Sequence, residues 1–370
     1  MFKYVVLEMN TMIKTRKDNS PLKWLAWETT KQCNLKCIHC RSNAGMSDFT
    51  QVDTEKGFLL MDKVAEFASP VFVLSGGEPM LRSDIFELAK YGNSLGFKMA
   101  IATNGSFIDD KACEDIRNSG IKIAALSLDG PEAAIHDDFR KQKGSFASIV
   151  QAAQKLRQHS IEFVINSSFT RRNQNFIAGT YRLAKDLGAK AWYMFLVVPM
   201  GRAKGLLDEL ITPADYEKIL KWHCHAEISE DKMLMRPTCA PSYYRIFAEE
   251  QKKTGGSGKR RSLSYSPGGG RGCVAARSIA YISAEGDAYP CSYFTRNGGN
   301  IFDKSLSEIW DSELFKGFRD YTGYDSCGCC EHKNACGGCR ARALIYNNDM
   351  KSDDPYCGHI PAVKGSKGIT

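Results

Sequence analysis

The chain has 370 residues, 43% of them hydrophobic and 25% charged, with a formal net charge of +8. Those values describe an ordinary globular chain, long enough for one large domain plus a smaller one and able to bury a core without disulfide staples. Six of the excess cations fall in residues 251–271, so no aromatic-interleaved basic stripe offers itself to nucleic acid. What stands out is 14 cysteines, unevenly placed. Cys33, Cys37 and Cys40 form one group, and Cys327, Cys329, Cys330, Cys336 and Cys339 another. Cysteines so close in sequence enclose almost no loop, so disulfides between them would gain little; metal or cluster ligation uses such spacing. Residues 1–20 lack a secretory h-region, and the longest apolar stretch, 191–200, is too short to cross a bilayer. The expectation is a cytoplasmic chain that spans no membrane and keeps its thiols reduced.

In chain order, short apolar runs at 24–29, 71–74, 98–103, 123–128, 162–169 and 190–198 read as strands. Helical patterns follow near 54–68, 83–95, 109–119, 145–158, 173–187 and 213–226. Asp53 or Thr54, Ser83 and Thr212 suit N-caps, and Pro213 suits the first helical position. Gly96, Gly120 and Gly188 fall where helices end. Six βα units in order imply a parallel sheet with right-handed crossovers, an α/β fold in the form of a partial (β/α)6 barrel over 22–230. Residues 1–21 form an N-terminal segment. Beyond 230 the alternation is expected to stop. A connecting segment, 231–271, holds a glycine-rich basic loop; a loop-rich unit, 272–358, carries most of the remaining cysteines; and 359–370 is a tail. In that unit Glu285-Gly286-Asp287 reads as a hairpin turn, and 305–319 as one amphipathic helix presenting Leu306, Ile309, Trp310, Leu314 and Phe318. So little core over so long a segment needs metal to hold it.

The strongest motif is Cys33-Asn-Leu-Lys-Cys37-Ile-His39-Cys40, directly after the first strand. Three thiolates at this spacing can hold three irons of a cubane cluster and leave the fourth iron open to a substrate or cofactor. A structural zinc would want a fourth ligand, such as His39. The position argues for the cluster, because the C-terminal ends of barrel strands are where active sites lie.

Together with Gly76-Gly77-Glu78-Pro79 after the second strand, this triplet resembles the radical S-adenosylmethionine (SAM) superfamily. The resemblance implies a 4Fe–4S cluster on Cys33, Cys37 and Cys40, with S-adenosylmethionine chelating the free iron and cleaved to a 5′-deoxyadenosyl radical. It implies further that Gly76, Gly77, Glu78 and Pro79 receive the methionyl ammonium, that Ser127 and Asp129 contact the ribose and carboxylate with Asn104 nearby, and that Arg202 belongs to the adenine-side contact. His39 stands at the family's aromatic position and is expected to pack on adenine, not to act as acid or base.

Cys273, Cys291, the run Cys327-x2-Cys330-x5-Cys336-x2-Cys339 and Cys357 resemble the SPASM extension of many radical enzymes, which binds one or two auxiliary 4Fe–4S clusters. The family's usual run has three residues in the last gap, and here there are two. Carried over by position, Cys327, Cys330, Cys336 and Cys357 hold one cluster. Cys273, Cys291 and Cys339 hold the other, with Cys239 as fourth ligand or that position left open. Zinc at the paired cysteines is the alternative. Cys113 reads as a buried apolar residue, and Cys224 and Cys329 as spare.

The segments 27–33, 238–245 and 336–343 look most like the haem-pathway branch, whose members include enzymes that decarboxylate Fe-coproporphyrin III propionates to vinyl groups. No leader-binding domain is expected in the residues before Cys33. The implied substrate is an anionic iron porphyrin, its propionates paired by the basic loop and by Arg171-Arg172. The implied electron donor is a flavodoxin or ferredoxin. Peptide cross-linking or epimerisation is the rival within the enzyme class. An iron–sulfur electron carrier is the rival outside it, and such a carrier has no need of a methionine pocket.

Overall fold

The computed structural model describes residues 21–45, 50–254, 271–359 and 361. Most of the N-terminal segment, the central stretch of the basic loop and most of the tail therefore lie outside the described residues.

Six strands alternate with helices as expected: β1 (Trp24–Thr30), α1 (Thr54–Phe67), β2 (Val71–Gly76), α2 (Ile85–Ser94), β3 (Lys98–Thr103), α3 (Asp110–Asn118), β4 (Ile123–Ser127), α4 (Ala133–Arg140), α5 (Ser145–Gln158), β5 (Glu162–Phe169), α6 (Ile177–Asp186) and β6 (Ala191–Leu196). Each strand pairs in parallel with the next. The local signals behind this are concrete. Asp53 caps α1 by accepting from Lys56 N at 2.8 Å, and Gly96, Gly120 and Gly188 all follow helix ends with positive φ. Ser83 is not a cap: Asp84 holds that position, and its carboxylate goes to Arg82 instead.

The alternation does not stop at residue 230. Helix α7 (Pro213–Ser229), capped by Thr212, leads to a seventh strand, β7 (Leu234–Thr238), parallel to β6. Its Pro237 masks the signal, yet proline is tolerated there because β7 is an edge strand. At the opposite edge, after α8 (Tyr243–Thr254), β8 (Ile279–Ile282) adds in parallel to β1, and β9 (Asp287–Tyr289) turns back on it around Gly286. With β10 (Gly299–Asn300) the sheet has ten strands in the order β10-β9-β8-β1-β2-β3-β4-β5-β6-β7 and remains open. The C-terminal unit thus continues the barrel sheet.

The stretch expected as one helix is two, α9 (Leu306–Trp310) and α10 (Glu313–Gly317). Ser305 and Glu308 form a capping box for α9, and Ser312 supplies a second N-cap that restarts the chain as α10. Helices α11 (Ser326–Cys329) and α12 (Arg340–Asn347) complete the described residues.

Bulky side chains on one face of the sheet, among them Trp27, Phe72, Met99, Ile165 and Trp192, pack against the helices. The inner face mixes alanines, Ala26, Ala100, Ala102, Ala125 and Ala191, with larger residues such as Val71, Val73, Ile123 and Tyr281.

Candidate active site and cluster sites

Loops at the C-terminal ends of the parallel strands assemble the first site. Cys33, Cys37 and Cys40 follow β1 and are close enough for their charges to act on one another. Burial pushes the Cys33 thiol to about 11 and raises Cys37 as well. Three converging thiols with no fourth thiol beside them suit a cluster with one open iron.

The loop's shape comes from its neighbours. Arg202 donates from Nε to Cys37 O at 2.7 Å and from Nη1 to Ala44 O at 2.8 Å, and its own N–H bonds Cys40 O at 2.9 Å. Its guanidinium clamps the cysteine loop.

Gly76 and Gly77 are glycines for a reason internal to the chain. A Cβ on Gly76 would strike Thr30 O, and one on Gly77 would strike Gln32 O. The close approach is to the start of the cysteine loop. Gly77 N and Glu78 N bond Thr30 O and Gln32 O, each at 2.7 Å. Those two N–H groups are thereby used.

Glu78, capping the turn Pro79–Leu81, is fully buried. Its carboxylate accepts from Thr103 Oγ1 at 2.8 Å, Asn104 N at 2.7 Å and Met80 N at 3.2 Å. Burial lifts it to about 7 against these bonds. It ties the end of β3 to the glycine turn. Asn104 passes the link on, donating from Nδ2 to Asn34 Oδ1 at 2.7 Å inside the cysteine loop.

Asp129 is held in the same way. It is fully buried, accepts from Arg140 Nε at 2.6 Å and Ser168 N at 2.7 Å, and donates its N–H to His136 Nδ1 at 3.1 Å. Ser127, half-buried on the inner face, stays on the barrel side. Arg140, at the end of α4, was not anticipated. Held by Asp129, it aims Nη1 at Cys37 Sγ, 3.7 Å away, and draws that thiol's pKa down against burial. His39 stacks on Phe139 of the same helix, with ring centroids 4.4 Å apart. Burial, Arg140 and Arg202 all push its pKa well below 6.5, so the ring is neutral. That agrees with a packing role.

The second set of cysteines divides in two. Cys327, Cys330, Cys336 and Cys357 line one small cavity. Cys239 is held far above its usual thiol range by burial, then by its neighbours Cys339 and Cys291, with Cys273 adding to the effect. Cys239 also adopts φ +58°, unusual for a non-glycine. The two arginines of Cys339-Arg340-Ala-Arg342 serve one set each. Arg340 reaches Cys327 Sγ at 3.4 Å. Arg342, fully buried against Asp354 at 2.7 and 2.8 Å, donates to Cys239 O at 2.6 Å. Asp354 accepts in turn from Cys339 N at 2.8 Å. A side chain on Gly338 would collide with the Arg340 guanidinium, which explains the glycine pair before it.

Cys113 is buried in α3 within the main core, as expected of an apolar residue. Cys224 is buried in α7, and Cys329 is exposed with its thiol on Ser326 O.

Residues 27–173 match the radical SAM superfamily, and residues 273–331 an iron–sulfur cluster-binding SPASM domain. The AdoMet-dependent heme synthase of Methanosarcina barkeri is 37% identical, over 94% of this chain and 99% of its own. The chain belongs to the AdoMet-dependent heme synthase family of radical SAM enzymes. A more distant relative, the Fe-coproporphyrin III synthase of Methanosarcina barkeri, is 27% identical over 94% of this chain and 90% of its own. Streptococcus suis SuiB bound to S-adenosylmethionine shares the fold, with a TM-score of 0.71 at 19% identity, covering 92% of this chain and 78% of that one. As a radical SAM enzyme with a SPASM domain, this chain uses a 4Fe–4S cluster, S-adenosylmethionine and auxiliary 4Fe–4S clusters. Among the described residues, no helix is long and apolar enough to cross a membrane.

One further group joins the sites of this enzyme. Tyr293, its phenol driven upward by burial, lies close enough to Cys239, Arg41, Cys291 and Cys40 to feel their charges. Arg41 lies 4.4 Å over the Tyr281 ring and donates to Ser292 O at 3.3 Å. Arg41 thus links the first cysteine loop to the loop after Cys291.

Proposed function

We propose that the enzyme oxidatively decarboxylates propionate side chains of Fe-coproporphyrin III to vinyl groups, the step that yields haem b. The observation carrying this reading is that the 11 candidate cysteine ligands sort into three groups in a chain whose relatives over nearly full length are heme synthases. Cys33, Cys37 and Cys40 hold the catalytic cluster. Cys327, Cys330, Cys336 and Cys357 hold one auxiliary cluster, and Cys239, Cys273, Cys291 and Cys339 the other.

The bound cluster and S-adenosylmethionine supply a 5′-deoxyadenosyl radical that takes a hydrogen atom from a propionate β-carbon. The substrate then loses carbon dioxide, forms a vinyl group and releases one electron. The chain's own residues position these partners. Carbonyls of Gly76 and Gly77 accept from the methionyl ammonium, Ser127 meets the ribose or carboxylate, and His39 offers adenine a neutral face. Glu78, Asn104 and Asp129 stand behind those contacts and fix the loops. Cys239, Cys273, Cys291 and Cys339 would supply four thiolates to an auxiliary cluster there, which could accept the electron at a potential tuned by burial and hydrogen bonds. A flavodoxin or ferredoxin supplies the priming electron, and the reaction belongs to the cytoplasm.

Reconstituted enzyme with dithionite and S-adenosylmethionine is expected to release 5′-deoxyadenosine, and Cys37→Ala to abolish that release. Release unaffected by Cys37→Ala would overturn the assignment.

A further inference from the structure

The cations expected to pair substrate propionates are engaged elsewhere. Arg172 grips Glu209 with two bonds of 2.7 Å and reaches Asp138 at 3.3 Å, while Arg171 bonds Asp208 O at 3.0 Å. Both are exposed just beyond the C-terminal end of β5. Of the basic loop, residues 255–270 lie outside the described residues, and Arg271 is bonded to Tyr321 and Lys333 O. Arg140, Arg202, Arg340 and Arg342 are all committed to partners in their own chain.

A cavity of about 440 Å³ supplies a different pair of cations. Such a volume is ordinary for a small-molecule site, roughly 300–1,000 Å³. Lys204 enters it from the 3-10 segment Gly201–Glu209, and Arg296 from the loop after Cys291. Both are exposed, and neither has a carboxylate partner among the described residues. The rest of the wall is Pro199, Leu207, Leu344 and Ile345, with Thr295 and Asn348 adding polar groups. Leu207 is 53% exposed.

The cavity's walls are extensions of the cluster sites. Gly201 and Arg202 press on the backbone of Cys40 and Arg41. The segment from Ser292 to Arg296 continues from Cys291 and is touched by Arg41. Helix α12, bearing Leu344 and Ile345, starts at the Cys339 cap. A ligand in this cavity would lie against all three supports.

We propose that this cavity seats one edge of a carboxylate-bearing tetrapyrrole, with the apolar ring on Leu207, Leu344 and Ile345 and two carboxylates on Lys204 and Arg296. The inference rests on the proposed function and names its binding site. The chemistry is complementary in both parts. Arginine pairs a carboxylate through two donors, lysine through a point charge, and the aliphatic wall removes the ring from water. Fe-coproporphyrin III has four propionates and haem b keeps two. An anchor for two carboxylates therefore suits the pair that does not react, and it orients the other pair toward the cysteine loop.

The test is a Soret titration of cluster-loaded enzyme, without reductant, using Fe-coproporphyrin III and its uncharged tetramethyl ester. Lys204→Gln and Arg296→Gln are each expected to weaken binding of the acid about tenfold, and together about a hundredfold. Binding of the ester should be the same in wild type and variants, and Lys204→Arg should restore most of the affinity. Cluster absorbance, expected unchanged in all variants, reports folding. If wild type binds the acid and the double variant binds it equally well, the site is wrong while the substrate reading stands. If wild type does not bind the acid, both fall.

Discussion

Arg140→Met probes how the fold tunes the catalytic cluster. The guanidinium stands 3.7 Å from Cys37 Sγ and 2.6 Å from Asp129 Oδ2. At an effective dielectric near 20, two unit charges about 4 Å apart interact by about 4 kcal/mol. Asp129 offsets much of that, and the charge of a reduced cluster is spread over many atoms, leaving roughly 1–2 kcal/mol in favour of the reduced form. Removing the cation should lower the potential of this cluster by about 40–90 mV, since 1.4 kcal/mol is 59 mV for one electron. The same change strands a fully buried carboxylate, which costs about 3–5 kcal/mol. Asp129→Asn in the same chain removes the opposing anion and should recover much of the stability and part of the potential. The assay is a redox titration followed by EPR, with urea unfolding alongside. An unchanged or higher potential in Arg140→Met would refute the reasoning.

Glu78 gives a pH signature. Its folded pKa of about 7 exceeds the ordinary 4.5, so the folded state binds the extra proton. Stability therefore falls as pH rises from about 4.5 to about 7 and is level above, a total of about 3 kcal/mol. Against Glu78→Gln, wild type should lose that much relative stability between pH 5 and pH 8; a constant difference in urea midpoints would contradict the assignment. Arg202→Met removes both side-chain bonds to the cysteine loop and should make the first cluster's iron lost faster to a chelator; Arg202→Lys, lacking the fork, should not restore it. Cys239→Ser should make one auxiliary cluster labile in iron analysis and Mössbauer spectra, whereas Cys113→Ala should leave iron content as it is. Retention of all the iron by Cys239→Ser would mean that this position is not a ligand.

The strands and most helices were legible because the apolar runs of buried parallel strands are dense and their helices carry caps and terminal glycines. The cysteine triplet was legible because ligand spacing is local. What stayed hidden depends on contacts across the chain. Strand β7 is short and contains Pro237, acceptable only because the strand lies at an edge. Helix α4 lacks a side-chain cap and shares one crossover with α5, so Arg140 and its pairing with Asp129 left no periodic trace. Glu78 and Asp129 were identified as important positions, but their bonds face inward to Thr103, Asn104 and Arg140, a distinction that burial alone reveals. Cys239 lies far in sequence from Cys273, Cys291 and Cys339, and the Arg342–Asp354 pair that draws it to them is visible only in three dimensions.

The most direct measurement is a mass spectrum of Fe-coproporphyrin III after incubation with reconstituted enzyme, reductant and S-adenosylmethionine under anaerobic conditions. The account predicts a product lighter by two formic-acid equivalents, one for each propionate converted to vinyl. Formation of 5′-deoxyadenosine with the porphyrin mass unchanged would contradict it.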